Sequence, residues 1–172
     1  MMSGHLSTGK GSPTMLSTVL LATSLAVTGA APAAAADGAR LIVNKLSQKC
    51  LTAAFGGSTV TQAGCDSGED LQRWELLDGA EESHVRIRNL ATGYCLTVHG
   101  EENGQVVHGG DCDAEARNVW KFQHKGDEWW ELRVLSTDKC LDLHADSKAD
   151  GAVIQQWGCN WGFNDNQTWM LL

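Results

Sequence analysis

An all-β fold, with twelve short strands in three repeats of about 45 residues, is what this 172-residue chain predicts. Three observations carry the prediction. The first is a cysteine ladder: Cys50, Cys95 and Cys140 are spaced by 45 and 45 residues, while Cys65, Cys112 and Cys159 are spaced by 47 and 47. The second is a tryptophan ladder, in which each late Cys is followed eight to ten residues on by Trp74, Trp120 or Trp169. The third is texture: short apolar or alternating runs are separated by Gly, Asn, Asp and Ser clusters, and no stretch sustains the i, i+3, i+4, i+7 pattern of a helix. A self-similar period of this size is the mark of a repeat architecture.

The strands follow in order. Repeat one supplies Leu41–Val43, Cys50–Ala53, Thr59–Gly64 and Trp74–Leu77. Repeat two supplies Val85–Leu90, Cys95–Val98, Val106–His108 and Val119–Gln123. Repeat three supplies Trp129–Leu135, Cys140–His144, Ala152–Trp157 and Thr168–Leu172. The early Cys opens the second strand each time, in Lys49-Cys50-Leu51-Thr52, Tyr94-Cys95-Leu96-Thr97 and Lys139-Cys140-Leu141-Asp142. Twelve strands with threefold symmetry suit a closed barrel capped by hairpins, which leaves no sheet edge exposed.

Six cysteines allow 15 pairings, but each repeat carries one early and one late Cys. The repeat therefore selects Cys50–Cys65, Cys95–Cys112 and Cys140–Cys159. Each such loop stabilises by roughly 3 kcal/mol through chain entropy.

Residues 1–36 stand apart. Lys10 lies in a polar stretch, Met15 to Val27 is apolar, and Thr28 to Ala36 is small and Ala-rich. That order is the pattern of a secretory signal peptide cleaved after Ala34-Ala35-Ala36, leaving residues 37–172 as the mature domain. An apolar run of 13 residues is short of the ~20 that span a bilayer. Cys50 is too far from it for a lipid-modified N-terminus. A secreted, extracellular, disulfide-bonded protein is expected.

Composition narrows the partners. Hydrophobic residues make up 42% and charged residues 20%, which is globular and not disordered. A formal net charge of −8 argues against nucleic acid and against an anionic membrane surface.

The paired cysteines, the three Cys-Leu starts and the Gln-x-Trp endings (Gln72-Arg73-Trp74 and Gln167-Thr168-Trp169, with Asn118-Val119-Trp120 as the variant) resemble the ricin B-type lectin family. The resemblance covers the whole of the expected mature chain. It implies a β-trefoil fold, with Trp74, Trp120 and Trp169 packed in the core, and a carbohydrate-binding module without catalysis.

A sugar site needs an aromatic plate for the C–H face of the ring and carboxylate or amide groups for its hydroxyls. Repeat three carries every part. Asp142 lies two residues after Cys140, Trp157 two before Cys159, and Gln155 two before Trp157, so strand alternation puts each set on one face. By the resemblance, Asp142 accepts from vicinal hydroxyls, Trp157 stacks on the ring and Asn166 bonds a further hydroxyl. Gln155 lines the rim, and Gln167 holds Asp142 in place. Repeat one has Thr52, Thr61, Ala63 and Leu71 at the positions of Asp142, Gln155, Trp157 and Asn166, and repeat two has Thr97, His108, Gly110 and Arg117. One site is therefore expected, in repeat three, for a galactose- or xylose-type glycan, with a monomer favoured. Trp161 and Phe163, in the loop after Cys159, either extend the sugar platform or pack over the barrel end.

Other constellations are weaker. His84, His99, His108, His124 and His144 are scattered without metal-ligand spacing and read as solvated surface or loop residues. Asp146 and Asp150 do not have EF-hand spacing. No cofactor, metal, nucleophile or facing carboxylate pair is expected. The rival reading is a β-trefoil protein inhibitor, for example of a protease, acting through a surface loop, because fold does not fix function.

Overall fold

The computed structural model describes residues 38–78, 84–113, 115–160, 162 and 164–172. The expected leader lies outside them, as do Trp161 and Phe163. Among the described residues no helix is long and apolar enough to cross a membrane.

All twelve strands form: β1 (Arg40–Asn44), β2 (Cys50–Thr52), β3 (Thr61–Ala63), β4 (Arg73–Asp78), β5 (His84–Asn89), β6 (Cys95–Val98), β7 (Val107–Gly110), β8 (Val119–His124), β9 (Trp129–Val134), β10 (Cys140–Leu143), β11 (Ile154–Trp157) and β12 (Trp169–Leu171). Their ends fall within two residues of the expected ones, and Cys95–Val98 coincides at both ends; the differences arise where turn hydrogen bonds compete with the ladder.

Pairing explains the architecture. The first and fourth strands of each repeat close an antiparallel ring in which β1 pairs β4, β4 pairs β5, β5 pairs β8, β8 pairs β9, β9 pairs β12 and β12 returns to β1. The second and third strands form the hairpins β2–β3, β6–β7 and β10–β11. Each hairpin springs from the ring at the same register, Val43 opposite Cys50, Arg88 opposite Cys95 and Arg133 opposite Cys140. The hairpins meet one another through single bridges, Thr59 with His108, Thr61 with Val153 and Val106 with Gln155. This is a β-trefoil.

The core is built in threes. Ile42, Ile87 and Leu132 come from the first strands, Leu51, Leu96 and Leu141 from the second, and Trp74, Trp120 and Trp169 from the fourth, all fully buried. A buried indole N–H needs an acceptor. Trp74, Trp120 and Trp169 each donate Nε1–H to the carbonyl of Leu51, Leu96 and Leu141, at 3.0, 3.1 and 3.0 Å. The disulfides are Cys50–Cys65, Cys95–Cys112 and Cys140–Cys159, as the repeat requires. One expectation is corrected: His84 is not a solvated residue. It lies in β5 at 9% exposure, because β5 is a ring strand flanked on both sides by β4 and β8.

Two buried glutamines lock hairpin to loop across the repeats. Gln62, opposite Leu51, donates Nε2–H to the carbonyls of Ser147 and Ala149 at 2.8 and 3.0 Å, which pins the β10–β11 loop. Gln156, opposite Leu141, does the same to Gly100 and Glu102 in the β6–β7 loop, at 3.1 and 3.0 Å. The third position is Gly109, where backbone meets backbone: Gly109 N–H donates to Ser58 O at 3.3 Å. A Cβ on Gly57 (φ +68°) would come within 2.8 Å of Gly109 O, so that approach requires glycine.

Candidate functional site

The site grows from the β10–β11 hairpin. Antiparallel pairing puts Trp157 opposite Cys140 and Gln155 opposite Asp142. Asp142 is 3% exposed, and an isolated carboxylate at that depth is costly unless it is hydrogen-bonded. Three side-chain amides supply the bonds. Gln155 Nε2 donates to Oδ1 at 2.7 Å, while Asn166 Nδ2 and Gln167 Nε2 both donate to Oδ2 at 2.9 Å.

The last two donors come from a single 3₁₀ turn, Asp165–Gln167, ahead of β12. That turn is held from two sides. Asn44 of repeat one donates Nδ2–H to Asn166 O at 3.0 Å. Gln167 accepts from Asn160 N–H at 3.1 Å and donates to Gly158 O at 3.2 Å. The chain around Cys159 and the turn therefore brace each other.

Burial pushes the Asp142 carboxyl above the ordinary aspartate range. The amide donors of Gln155 and Gln167 oppose that shift, Asp146 adds to it and His144 subtracts from it. The three amides aim donors at Asp142, so its remaining lone pairs are acceptors for hydroxyls.

Above Asp142 opens a cleft of about 390 Å³. Trp157, 41% exposed, forms one wall and is the aromatic plate. Repeat two backs it: Asn103 Oδ1 accepts from Gly158 N–H at 3.0 Å, and a Cβ on Gly104 would touch Trp157 at 3.7 Å. The lip is the turn His144–Asp146, in which Ala145 and Asp146 both sit at φ +53°. Left-handed backbone at a non-glycine residue is strained and needs support. Gln62, which grips Ser147 and Ala149, gives it.

The structure thus gathers Asp142, Gln155, Trp157, Asn166 and Gln167. Two stand differently from expectation. Gln155, expected at the rim, is buried at 5% exposure, because its amide is used on Asp142. Asn166, expected to serve a ligand hydroxyl, has its Nδ2 directed at Asp142 as well.

Sequence reasoning missed His144, whose Nδ1 lies 3.0 Å from Gln155 Oε1, and the lining residues Ala145, Asp146, Asn160 and Asn164. The one signal for the last two was the greater length of the loop between Cys159 and Trp169. Asp150 is turned away, bound by Lys49 and by Gly64 N–H. Glu131, Cys140 and Cys159 converge within 4.8 Å, but the two sulfurs are bonded to each other and offer no thiolate to a metal.

The sister repeats keep the brace and lack the carboxylate. In repeat one Gln72 Nε2 donates to Thr52 Oγ1 at 3.3 Å, and in repeat two Thr97 Oγ1 donates to Asn118 Oδ1 at 2.7 Å. Repeat two has a cleft of about 310 Å³ beside Thr97, His99 and Arg117. At the position of Trp157 it has Gly110, where a Cβ would lie 2.6 Å from Thr97 Oγ1; the aromatic ring that lines this cleft is Tyr94, from the turn before β6.

The profile of the ricin-type β-trefoil lectin domain matches residues 83–172, and a ricin-type β-trefoil lectin domain-like profile matches residues 32–110. The chain belongs to the ricin-type β-trefoil lectin family. This lectin domain is a carbohydrate-binding module. Among solved structures the lectin is similar to a designed threefold-symmetric protein, ThreeFoil, at 26% identity and TM-score 0.72, over 79% of this chain and 99% of that one. It is similar at 28% identity and TM-score 0.72 to an exo-β-1,3-galactanase from Clostridium thermocellum, over 79% of this chain and 30% of the galactanase. The Rhizoctonia solani agglutinin shares the fold at 19% identity and TM-score 0.66, over 83% of the lectin and 99% of the agglutinin. Comparison with curated protein sequences returns no match.

Proposed function

We propose that this protein is an exported, non-catalytic lectin, monomeric, with one sugar site in repeat three that takes a galactose- or xylose-type glycan. The observation that carries the reading is the pairing of Asp142, braced by three amide donors, with the half-exposed Trp157 across the same cleft. Asp142 accepts from two adjacent hydroxyls and Trp157 packs the C–H face of the ring. The match to an exo-β-1,3-galactanase favours the galactose type as the first to try.

A non-catalytic role fits the same geometry. Both oxygens of Asp142 already accept amide hydrogens, which suits a fixed acceptor for hydroxyls rather than a carboxyl that passes a proton to a leaving group. A single shallow site predicts weak monovalent binding, and one site per monomer cannot crosslink glycans. Export rests on the Ala-rich leader ending at Ala36 and suits three disulfides.

The test is binding of the full chain, expressed with its leader, to immobilised galactose- and xylose-type glycans, beside Asp142→Ala and Thr52→Ala. Retention by the wild type and Thr52→Ala, with loss in Asp142→Ala, is the expected result. Equal binding by Asp142→Ala would remove the repeat-three site. N-terminal sequencing of protein from the culture medium should begin at Asp37.

A further inference from the structure

His99 and His108 show no ligand spacing in the sequence, yet the β6–β7 hairpin brings their side chains together. Thr97 stands opposite His108 and His99 follows Thr97 by two residues, so strand alternation puts both imidazoles on one face. Their ring centroids lie 5.9 Å apart, with the planes tilted by 41°.

The equivalent positions in repeat three are His144 and Gln155, where a 3.0 Å hydrogen bond joins ring to amide. Repeat two carries a second imidazole in place of that amide. Among the described residues the rings of His124 and His144 have hydrogen-bond partners, whereas neither ring of the His99–His108 pair has one. His99 is exposed and His108 half-buried, and no nitrogen of His108 is among the buried side-chain atoms that lack a partner. The pair therefore offers lone pairs that are both unused and reachable from solvent.

The surroundings select the sign of the guest. His99 lines the repeat-two cleft of about 310 Å³ together with Asp111 and Arg117. The Arg117 guanidinium is taken up by Asp113 and Glu115, so three carboxylates accompany one fixed cation. That balance favours a cation over an anion.

We propose that His99 and His108 form a binding site for a divalent transition-metal ion of the zinc and copper class. Imidazole nitrogen suits these ions, whereas calcium and magnesium ask for oxygen. An ion about 2.0–2.1 Å from one nitrogen of each ring holds the two centroids roughly 5 to 6 Å apart, so the hairpin already presents the rings at a ligating separation. Among the described residues no third His, Cys, Asp or Glu joins the pair within ligand distance, so water completes the coordination and the site stays open. The bound ion clamps β6 to β7 where repeat three uses a hydrogen bond.

The experiment is calorimetric titration of the untagged full chain with zinc, copper(II) and calcium chlorides. Wild type is compared with His99→Ala, His108→Ala, the double alanine variant and His124→Ala. One zinc or copper ion per chain should bind, copper the tighter by the usual order of divalent affinities. Each single variant of the pair should weaken binding at least about tenfold, because the second imidazole engages within the same molecule. The double variant should bind neither metal, His124→Ala should match wild type, and calcium should give no heat of binding. Zinc should also raise the melting temperature of the wild type and leave that of the double variant unchanged. Melting without metal, and His108→Asn read beside His108→Ala, separate loss of the ligand from loss of the fold. A wild type that takes up neither zinc nor copper would overturn the site. So would a double variant that binds as wild type does, or calcium bound as tightly as zinc.

Discussion

Gln167 Nε2 donates to Asp142 Oδ2 at 2.9 Å, and the same contact recurs as Gln72 to Thr52 at 3.3 Å and, with donor and acceptor exchanged, as Thr97 to Asn118 at 2.7 Å. An amide that braces the fold in all three repeats braces a carboxylate in one. Binding chemistry has been laid over a structural joint, and the two roles can be separated by mutation.

Gln167→Ala and Gln72→Ala should cost similar stability, about 1–3 kcal/mol each, because each leaves buried partners unpaired. Urea denaturation followed by tryptophan fluorescence measures that loss. Of the two, only Gln167→Ala should also weaken glycan binding, since Gln167 donates to Asp142 and Gln72 to Thr52.

The tryptophans should divide into two classes. Trp169 is fully buried and donates to Leu141 O, so Trp169→Ala should cost about 3–5 kcal/mol and yield little folded protein. Trp157 is 41% exposed, so Trp157→Ala should melt close to wild type and bind sugar at least tenfold more weakly. A melting curve and a binding isotherm on each variant decide the matter.

Sugar affinity should fall on acidification at a pH above the ordinary aspartate value of 3.8, because burial raises the Asp142 carboxyl and only its ionised form accepts from two hydroxyls. Stability runs the other way. With its folded-state value raised, Asp142 favours the fold most below its unfolded value, and that contribution is lost as pH rises through the folded one. Binding isotherms from pH 7 down to pH 4 should show the loss for wild type. An onset no higher than that of a free aspartate would contradict it.

Removing the Cys140–Cys159 disulfide as a double alanine variant should destabilise by roughly 3 kcal/mol, and removing Cys50–Cys65 should do about the same. Binding should suffer only in the first case. Cys159 lies between Gly158 and Asn160, the two residues through which Gln167 is fixed behind Asp142. Thermal melts with parallel binding isotherms at a temperature where both variants remain folded separate the two effects.

Much of this was legible in the residues. Asp142, Gln155 and Trp157 could be placed on one hairpin because strand alternation and a disulfide next to it leave one register, Asp142 opposite Gln155. The direction of the Gln155 amide was not legible. It depends on Asp142 being buried, which depends in turn on the Asp165–Gln167 turn folding over it. The place of His144, Asp146 and Asn164 in the cleft was not legible because loop residues carry no periodic signal, and the burial of His84 depends on how β5 packs within the ring.

The sequence by itself determined the threefold repeat, the three cysteine pairs, the twelve strands and the one repeat that carries both a carboxylate and an aromatic at the hairpin positions of Asp142 and Trp157. These follow from spacing, which is a local and periodic property of the chain. Tertiary structure alone decided the desolvation of Asp142, the strained lip at Ala145 and Asp146, and the far wall of the cleft. Those arise where separated segments converge: Asn166 reaches Asp142 across 24 positions, and Asn44 reaches Asn166 across 122. Only closure of the barrel brings such residues within hydrogen-bonding distance.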